Sequence, residues 1–368
     1  MNPPNKLKSL LITLLFVGMI GGFFVTSRLL RPPEISESER RPLEKMPEAA
    51  VTAILNGEYM LGFDKYAADS FPFRESFRTL KAYSVFNLFC MSDKNGLYIE
   101  DAGAGKFEKI DKDSMGQTAE KIKKLAESMD SVNVYYAVIP DKSIYAGGGY
   151  PGFNKQDANA ILSRSLGDFT CIDLAAVLSL DMFYKTDVHW DQVRIAAVAK
   201  ALTDAMGAPM SADFKENTVG EFKGIYPGQL ALPMESDTMS YYTSDVLDNA
   251  EVRILDERTF EFVQGTLYDH AAFAGQDPYD FFLNGAQPLI EIVNRAAENK
   301  KTLYIFRDSF TSSLAPLLVP SYAKVTLIDL RYLDARLLSE FVEMEEDADV
   351  LFLYSSQILN NSSVLLIN

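Results

Sequence analysis

Five short runs in this chain are apolar almost throughout, and that continuity limits the fold more than any other feature. They are Val132–Ile139 (VNVYYAVI), Phe169–Leu174 (FTCIDL), Thr302–Phe306 (TLYIF), Lys324–Ile328 (KVTLI) and Asp349–Tyr354 (DVLFLY). A strand with one wet face alternates apolar and polar residues; a run without that alternation has to be covered on both faces. Between several of these runs lie stretches with helical spacing: Ser114–Met129, Asp191–Met206, Pro288–Glu298 and Asp334–Glu345. Strands alternating with helices predict a parallel sheet with helices on both faces, whose sites gather at the carboxyl ends of the strands. A length of 368 residues, 48% of them apolar, supports a core of that size.

The stretch from about Ala208 to Leu283 breaks the rhythm. It is rich in Tyr, Phe, Asp and Gly and lacks a helix period, so it reads as an insertion of β-hairpins and loops on the same domain. At the other end, Ser9 to Thr26 is a run of 18 uncharged, mostly apolar residues, with Lys6 and Lys8 before it and Arg28 and Arg31 after it. That is just long enough for a helix to cross a bilayer. No clear small-x-small cleavage motif follows, so a retained signal anchor is expected, with secretion after cleavage as the alternative. Residues 31–50, rich in Pro and charge, read as a stalk. The expected organisation is an anchor over 1–30, a stalk over 31–50 and an extracytoplasmic domain over 51–368, with the insertion at about 208–283.

The net charge of −16 repels phosphate backbones, so no nucleic-acid partner is expected. Cys90 and Cys171 form no Cys/His cluster, so no structural metal is expected; the reading favours two free, buried thiols over a disulfide.

Only two histidines exist, His189 and His270. His189 lies in Thr186-Asp187-Val188-His189-Trp190, where a carboxylate two residues upstream can turn back to accept the ring Nδ1–H. A cap or surface role is the alternative. Further on, an apolar strand ends at Arg307-Asp308-Ser309 before a helix-compatible run, which would project Ser309 from the strand's carboxyl end. N-capping by Asp308, Ser309 or Thr311 is the alternative there. Together the two segments supply a nucleophile, a base and an orienting acid. Asp187, His189 and Asp191 are awkwardly placed to share a metal, and His270 reads as a loop residue. Tyr241, Tyr242, Tyr268, Phe281 and Phe282 read as the insertion's own core before they read as a sugar-stacking surface.

The sequence resembles the DHHW family, related to the alginate O-acetyltransferase-like SGNH proteins. The matching features are Ser38-Glu-Arg-Arg-Pro-Leu43 with Pro47, Asp69-Ser-Phe-Pro-Phe-Arg74, Ile139-Pro-Asp-Lys142 with Tyr145, and Thr186-Asp-Val-His-Trp190. Phe222-Lys-Gly224, Asp277-Pro-Tyr-Asp-Phe-Phe-Leu-Asn-Gly285, Arg307-Asp-Ser309 and Ile328-Asp-Leu-Arg-Tyr332 follow. The resemblance implies an α/β, SGNH-hydrolase-like (flavodoxin-like) fold with Asp187 as acid, His189 as base and Ser309 as nucleophile. Val188 stands at the first histidine of the family's D-H-H-W, and Arg307 stands where GDS-type hydrolases carry glycine. Phe310, Asn284, Gly285, Arg307 and Trp190 are the candidates for oxyanion or substrate contacts. The resemblance favours O-acetyl transfer to a cell-surface or exported polysaccharide; the membrane anchor suits a membrane acyl-donor protein as a partner, and no cofactor is expected. An acetyl esterase using the same residues, or a non-catalytic envelope protein that binds glycan, are the alternatives.

Overall fold

The computed structural model describes residues 6–29, 33–101, 103–146, 153–210 and 212–367. The chain divides into two compact units. One comprises residues up to Met91 together with Pro227–Pro233; the other comprises Ser92–Tyr226 and Met234 onward.

In the first unit, α1 (Lys6–Leu29) contains Lys8–Ser27, a segment long and apolar enough to cross a membrane, with none of its residues buried. Three helices follow: α2 (Val51–Leu55), α3 (Glu58–Asp69) and α4 (Arg74–Tyr83). The described part of the expected stalk is tied to them by charge. The Arg41 guanidinium forks onto Asp69 at 2.8 and 2.7 Å, Glu44 N–H donates to the same carboxylate, and Arg74 pairs with Glu39. The Arg41 hydrogen bonds hold the Asp69 carboxyl down at about 2. Compositional change at residue 50 therefore does not coincide with the break between compact units, which falls after Met91.

The second unit is built on one eight-stranded sheet. Its strands in chain order are β1 (Asn133–Ile139), β2 (Thr170–Ile172), β3 (Glu251–Leu255), β4 (Phe262–Gln264), β5 (Leu289–Val293), β6 (Thr302–Arg307), β7 (Lys324–Ile328) and β8 (Asp349–Ser355). They lie in the order β4-β3-β5-β7-β6-β8-β1-β2. The strands from β7 to β2 are parallel, whereas β5, β3 and β4 pair antiparallel as an edge extension. All five apolar runs became the parallel strands. Their chain order across the sheet is 2-1-5-3-4, which differs from the 2-1-3-4-5 of a flavodoxin-like sheet.

Both faces are covered. On β6, Leu303 and Ile305 point into a cluster with α7 (Ala196–Ala205) and α8 (Phe310–Leu318). Tyr304 and Phe306 point into the opposite cluster with α5 (Lys112–Glu127) and α6 (Lys155–Leu166). The two-residue period of the strand thus sends alternate apolar side chains to two separate cores.

Three sequence expectations are corrected. Pro288–Glu298 is not a helix; its LIEIV segment is β5, where Leu289, Ile290 and Ile292 are fully buried. A short β-branched apolar run fits either period, and pairing with β7 and β3 decides it. Asp334–Glu345 forms only a 3-10 turn at Ala335–Leu337 and a short helix at Leu338–Phe341, because Val342 is extended. Within the expected insertion, β3 and β4 form a hairpin that extends the sheet, and Lys215–Phe222 and Asp237–Thr243 form a second hairpin outside it. The aromatics of this region are core: Phe281 and Phe282 are fully buried with Tyr279, Phe222 and Met239. Both cysteines are free as expected, but both are exposed rather than buried.

Candidate active site

Ser309 sits between the end of β6 and the first turn of α8, as its N-cap residue. Asp308 fixes this junction. Its carboxylate accepts the Phe310 N–H at 3.1 Å and the Ser355 N–H at 2.6 Å, which pins the end of β6 to the end of β8. Every residue of α8 is buried, so the helix cannot drift from the sheet.

His189 comes from a loop closed by an antiparallel bridge between Phe183 and Trp190, with Tyr184 N–H donating to His189 O. Trp190 is fully buried, and its Nε1–H donates to Phe310 O at 2.9 Å and to Ser313 Oγ at 3.0 Å. That indole ties the histidine loop to α8. Gln192 adds a second tie, donating to Ser313 O. Residues 120 apart in sequence therefore meet: His189 Nε2 lies 2.9 Å from Ser309 Oγ.

Asp187 completes the line. Its Oδ1 lies 2.7 Å from His189 Nδ1 and also accepts the His189 N–H at 3.1 Å, and its Oδ2 accepts the Ile225 N–H at 3.0 Å. Burial alone would raise its pKa. The hydrogen bonds and charge of His189, with the Ile225 N–H, outweigh that and hold the carboxyl well below the usual carboxylate range. A buried anion beside Nδ1 favours the tautomer with hydrogen on Nδ1, leaving Nε2 free to accept from Ser309.

The loop beneath is built around Asp237. Its carboxylate accepts Lys185 N–H at 2.8 Å, Thr186 N–H at 2.7 Å and Thr186 Oγ–H at 2.5 Å. Thr186 Oγ in turn accepts the Gly224 N–H. A Cβ at Gly224 would lie 2.3 Å from Asp187 Cβ and 2.4 Å from Thr186 O, so only glycine lets this segment approach the acid. Lys142 is buried below, donating from Nζ to Tyr184 O and Asp187 O, both at 2.9 Å. Burial pushes its pKa down to about 8 despite the pull of Asp187.

Tyr279 lies flat on the imidazole, with centroids 3.8 Å apart and an angle of 9°. Its hydroxyl donates to Ser313 Oγ at 2.8 Å, and the Phe310 ring tilts against the imidazole at 4.9 Å. Sequence reasoning had not assigned Tyr279, Asp237 or Gly224 to the site. Tyr279 and Gly224 do fall in the Asp277–Gly285 and Phe222–Gly224 segments of the resemblance.

The five candidates for oxyanion or substrate contacts make hydrogen bonds within the fold, although the buried Arg307 Nε–H has no partner among the described residues. The Phe310 N–H is taken by Asp308 and the Trp190 indole by α8. Arg307 is fully buried and donates to Asp308 O, Ser312 Oγ and Gln287 O. Asn284 donates to Asp269 and accepts from Thr266 N–H, and the Gly285 N–H donates to Phe282 O in a turn where its φ is +77°. Asp191 caps the 3-10 turn at Gln192–Arg194 and pairs with Arg194, away from the Asp187–His189 contact. His270 begins a short helix with its ring against the edges of Tyr241 and Phe281.

No protein-family profile and no curated protein matches the chain. Solved structures do. A DHHW family protein from Eubacterium siraeum is similar at 20% identity, over 74% of this chain and 94% of that chain, with a TM-score of 0.58. Bacillus cereus PatB1 is similar at 19% identity, over 73% and 99%, with a TM-score of 0.61, and it is also solved with a sulfonyl adduct. At these identities the likeness is one of fold, and the chain shares the fold of the Eubacterium DHHW family protein and of PatB1.

Proposed function

We propose that the chain is an extracytoplasmic, serine-dependent O-acyltransferase that moves acetyl groups onto a cell-surface or exported polysaccharide. The observation that carries the reading is the continuous line from Asp187 through His189 to Ser309, with contacts of 2.7 and 2.9 Å. In this reading Ser309 Oγ attacks the carbonyl carbon of an acetyl ester while its proton passes to His189 Nε2. The tetrahedral centre collapses, the donor C–O bond breaks, and the leaving oxygen takes the proton back from Nε2. Acetyl-Ser309 remains. A sugar hydroxyl then attacks it, gives its proton to Nε2, and leaves as the O-acetyl ester while Ser309 is restored. Asp187 keeps the ring oriented and stabilises the imidazolium that forms twice per turnover.

Developing negative charge on the carbonyl oxygen needs a donor. The proposal assigns this to the Ser309 N–H at the start of α8, for which the described residues provide no acceptor. The resemblance supports acetyl as the group and polysaccharide as the acceptor. The membrane-compatible length of α1 supports a signal anchor that holds the domain outside the cytoplasm, near a membrane acyl-donor protein.

The test uses the full chain in detergent with an aryl acetate and a soluble oligosaccharide. The parent should release the phenol and acetylate the sugar, and Ser309→Ala and His189→Ala should each lose the release by at least 10³-fold, the range seen when such groups are removed. A sulfonyl fluoride should add one sulfonyl group at Ser309. Unchanged turnover in both variants would refute the assignment, whereas acetate release without sugar acetylation would replace transfer by esterase activity.

A further inference from the structure

We propose that residues 51–91 form an interfacial platform lying in the lipid headgroup region of the membrane entered by α1, an inference that rests on reading α1 as membrane-spanning. Large exposed apolar side chains are concentrated here. Fifteen lie between Met46 and Met91, against six among the described residues from Ser92 onward. The orientation of α4 is the sharper sign. Phe77 and Leu80 share one face of the helix by their three-residue spacing, and that face is exposed, with Leu80 at 60%; the N-cap residue Phe73 is 61% exposed. The opposite face carries Arg74 and Arg78, turned inward onto Glu39. A helix packed on its own core in water has the reverse arrangement. Leu55, Leu61 and Leu88 are exposed as well.

Two further observations select lipid as the occupant. Phe23, near the end of α1, stacks on Phe71 at 5.1 Å and tilts against Phe77 at 5.9 Å. The apolar surface therefore begins where a spanning helix leaves the hydrocarbon, the level at which aromatic side chains collect. Charge agrees. Residues 51–91 carry Glu58, Asp64, Asp69 and Glu75 against Lys65, Arg74, Arg78 and Lys81, a balance of zero in a chain of −16. An anionic headgroup layer that repels the rest of the chain does not repel this segment.

The two native cysteines provide the test and its control. Cys90 is exposed beside Leu88 and Phe89, and Cys171 is exposed on β2. The full chain carrying Cys171→Ser is labelled at Cys90 with an environment-sensitive fluorophore, and Cys90→Ser is labelled at Cys171. Each is reconstituted at one copy per nanodisc of phosphatidylglycerol and phosphatidylethanolamine, with and without lipids bearing a shallow nitroxide. The platform predicts at least twofold quenching at Cys90 and none at Cys171. Equal, weak quenching at both sites in a chain that co-floats with vesicles overturns the platform and leaves the anchor intact. Failure to co-float overturns the anchor and the platform with it. Shielding of Cys90 that requires two copies per disc assigns the surface to self-association and overturns the lipid assignment.

Discussion

Asp187→Asn exchanges one oxygen for an amide and tests the proposed relay at its least replaceable member. Three N–H groups converge on the two carboxylate oxygens: the His189 ring and His189 N–H on Oδ1, and Ile225 N–H on Oδ2. An asparagine has one acceptor oxygen, so no rotamer satisfies all three. With its oxygen toward Ile225, the amide NH₂ faces His189 Nδ1. The ring must then accept at Nδ1 and carry its hydrogen on Nε2, where it can no longer take the Ser309 proton. With its oxygen toward His189, the NH₂ faces the Ile225 N–H, and a buried donor loses its partner at a cost of about 1–3 kcal/mol. The reactive tautomer survives only in the second case, and there without the negative charge that stabilises imidazolium. The expected result is a fall in kcat on the order of 10⁴ with KM little changed, the scale set by the same change in a serine-protease triad, plus about 1–3 kcal/mol of lost stability. Steady-state kinetics with an aryl acetate and urea unfolding of the detergent-solubilised chain measure the two effects. A variant within tenfold of the parent kcat would refute the role given to Asp187.

Gly224→Ala should lower turnover by about 10–10²-fold without touching substrate, because its Cβ must displace the Asp187 side chain or Thr186 O; parent-level kinetics would show the loop yields freely. Glu108 gives a stability prediction. Burial raises its carboxyl from the ordinary 4.5 to about 7, although Ser356 and Asn360 donate to it. Between those pH values the unfolded chain has lost a proton the folded chain keeps, so stability falls as pH rises, by about 3 kcal/mol in all. Glu108→Gln should remove that loss, and unfolding curves at pH 4.5 and 7.5 with the same parent–variant difference would refute it.

How much of this was legible in sequence follows from the range of each interaction. The parallel strands were readable because apolar continuity over five to eight residues is a local signature of coverage on both faces. The Asp187–His189 contact was readable for the same reason, since two residues of chain already hold a carboxylate within reach of its own ring. Length and composition marked Ser9 to Thr26 as able to span a bilayer. Only tertiary structure decided the rest. LIEIV fits a helix or a strand in isolation, and its neighbours β7 and β3 made it β5. Ser309 meets His189 across 120 residues because Trp190 and Gln192 lock the histidine loop onto α8. Among the five donor candidates, the Phe310 and Gly285 N–H groups are held by residues two and three positions away, whereas the Trp190 indole and Asn284 are taken by partners that only the fold brings to them. A backbone pattern fixes what lies within a few residues of itself. Which distant groups fill a hydrogen bond is set by sheet order and packing, and no local pattern encodes those.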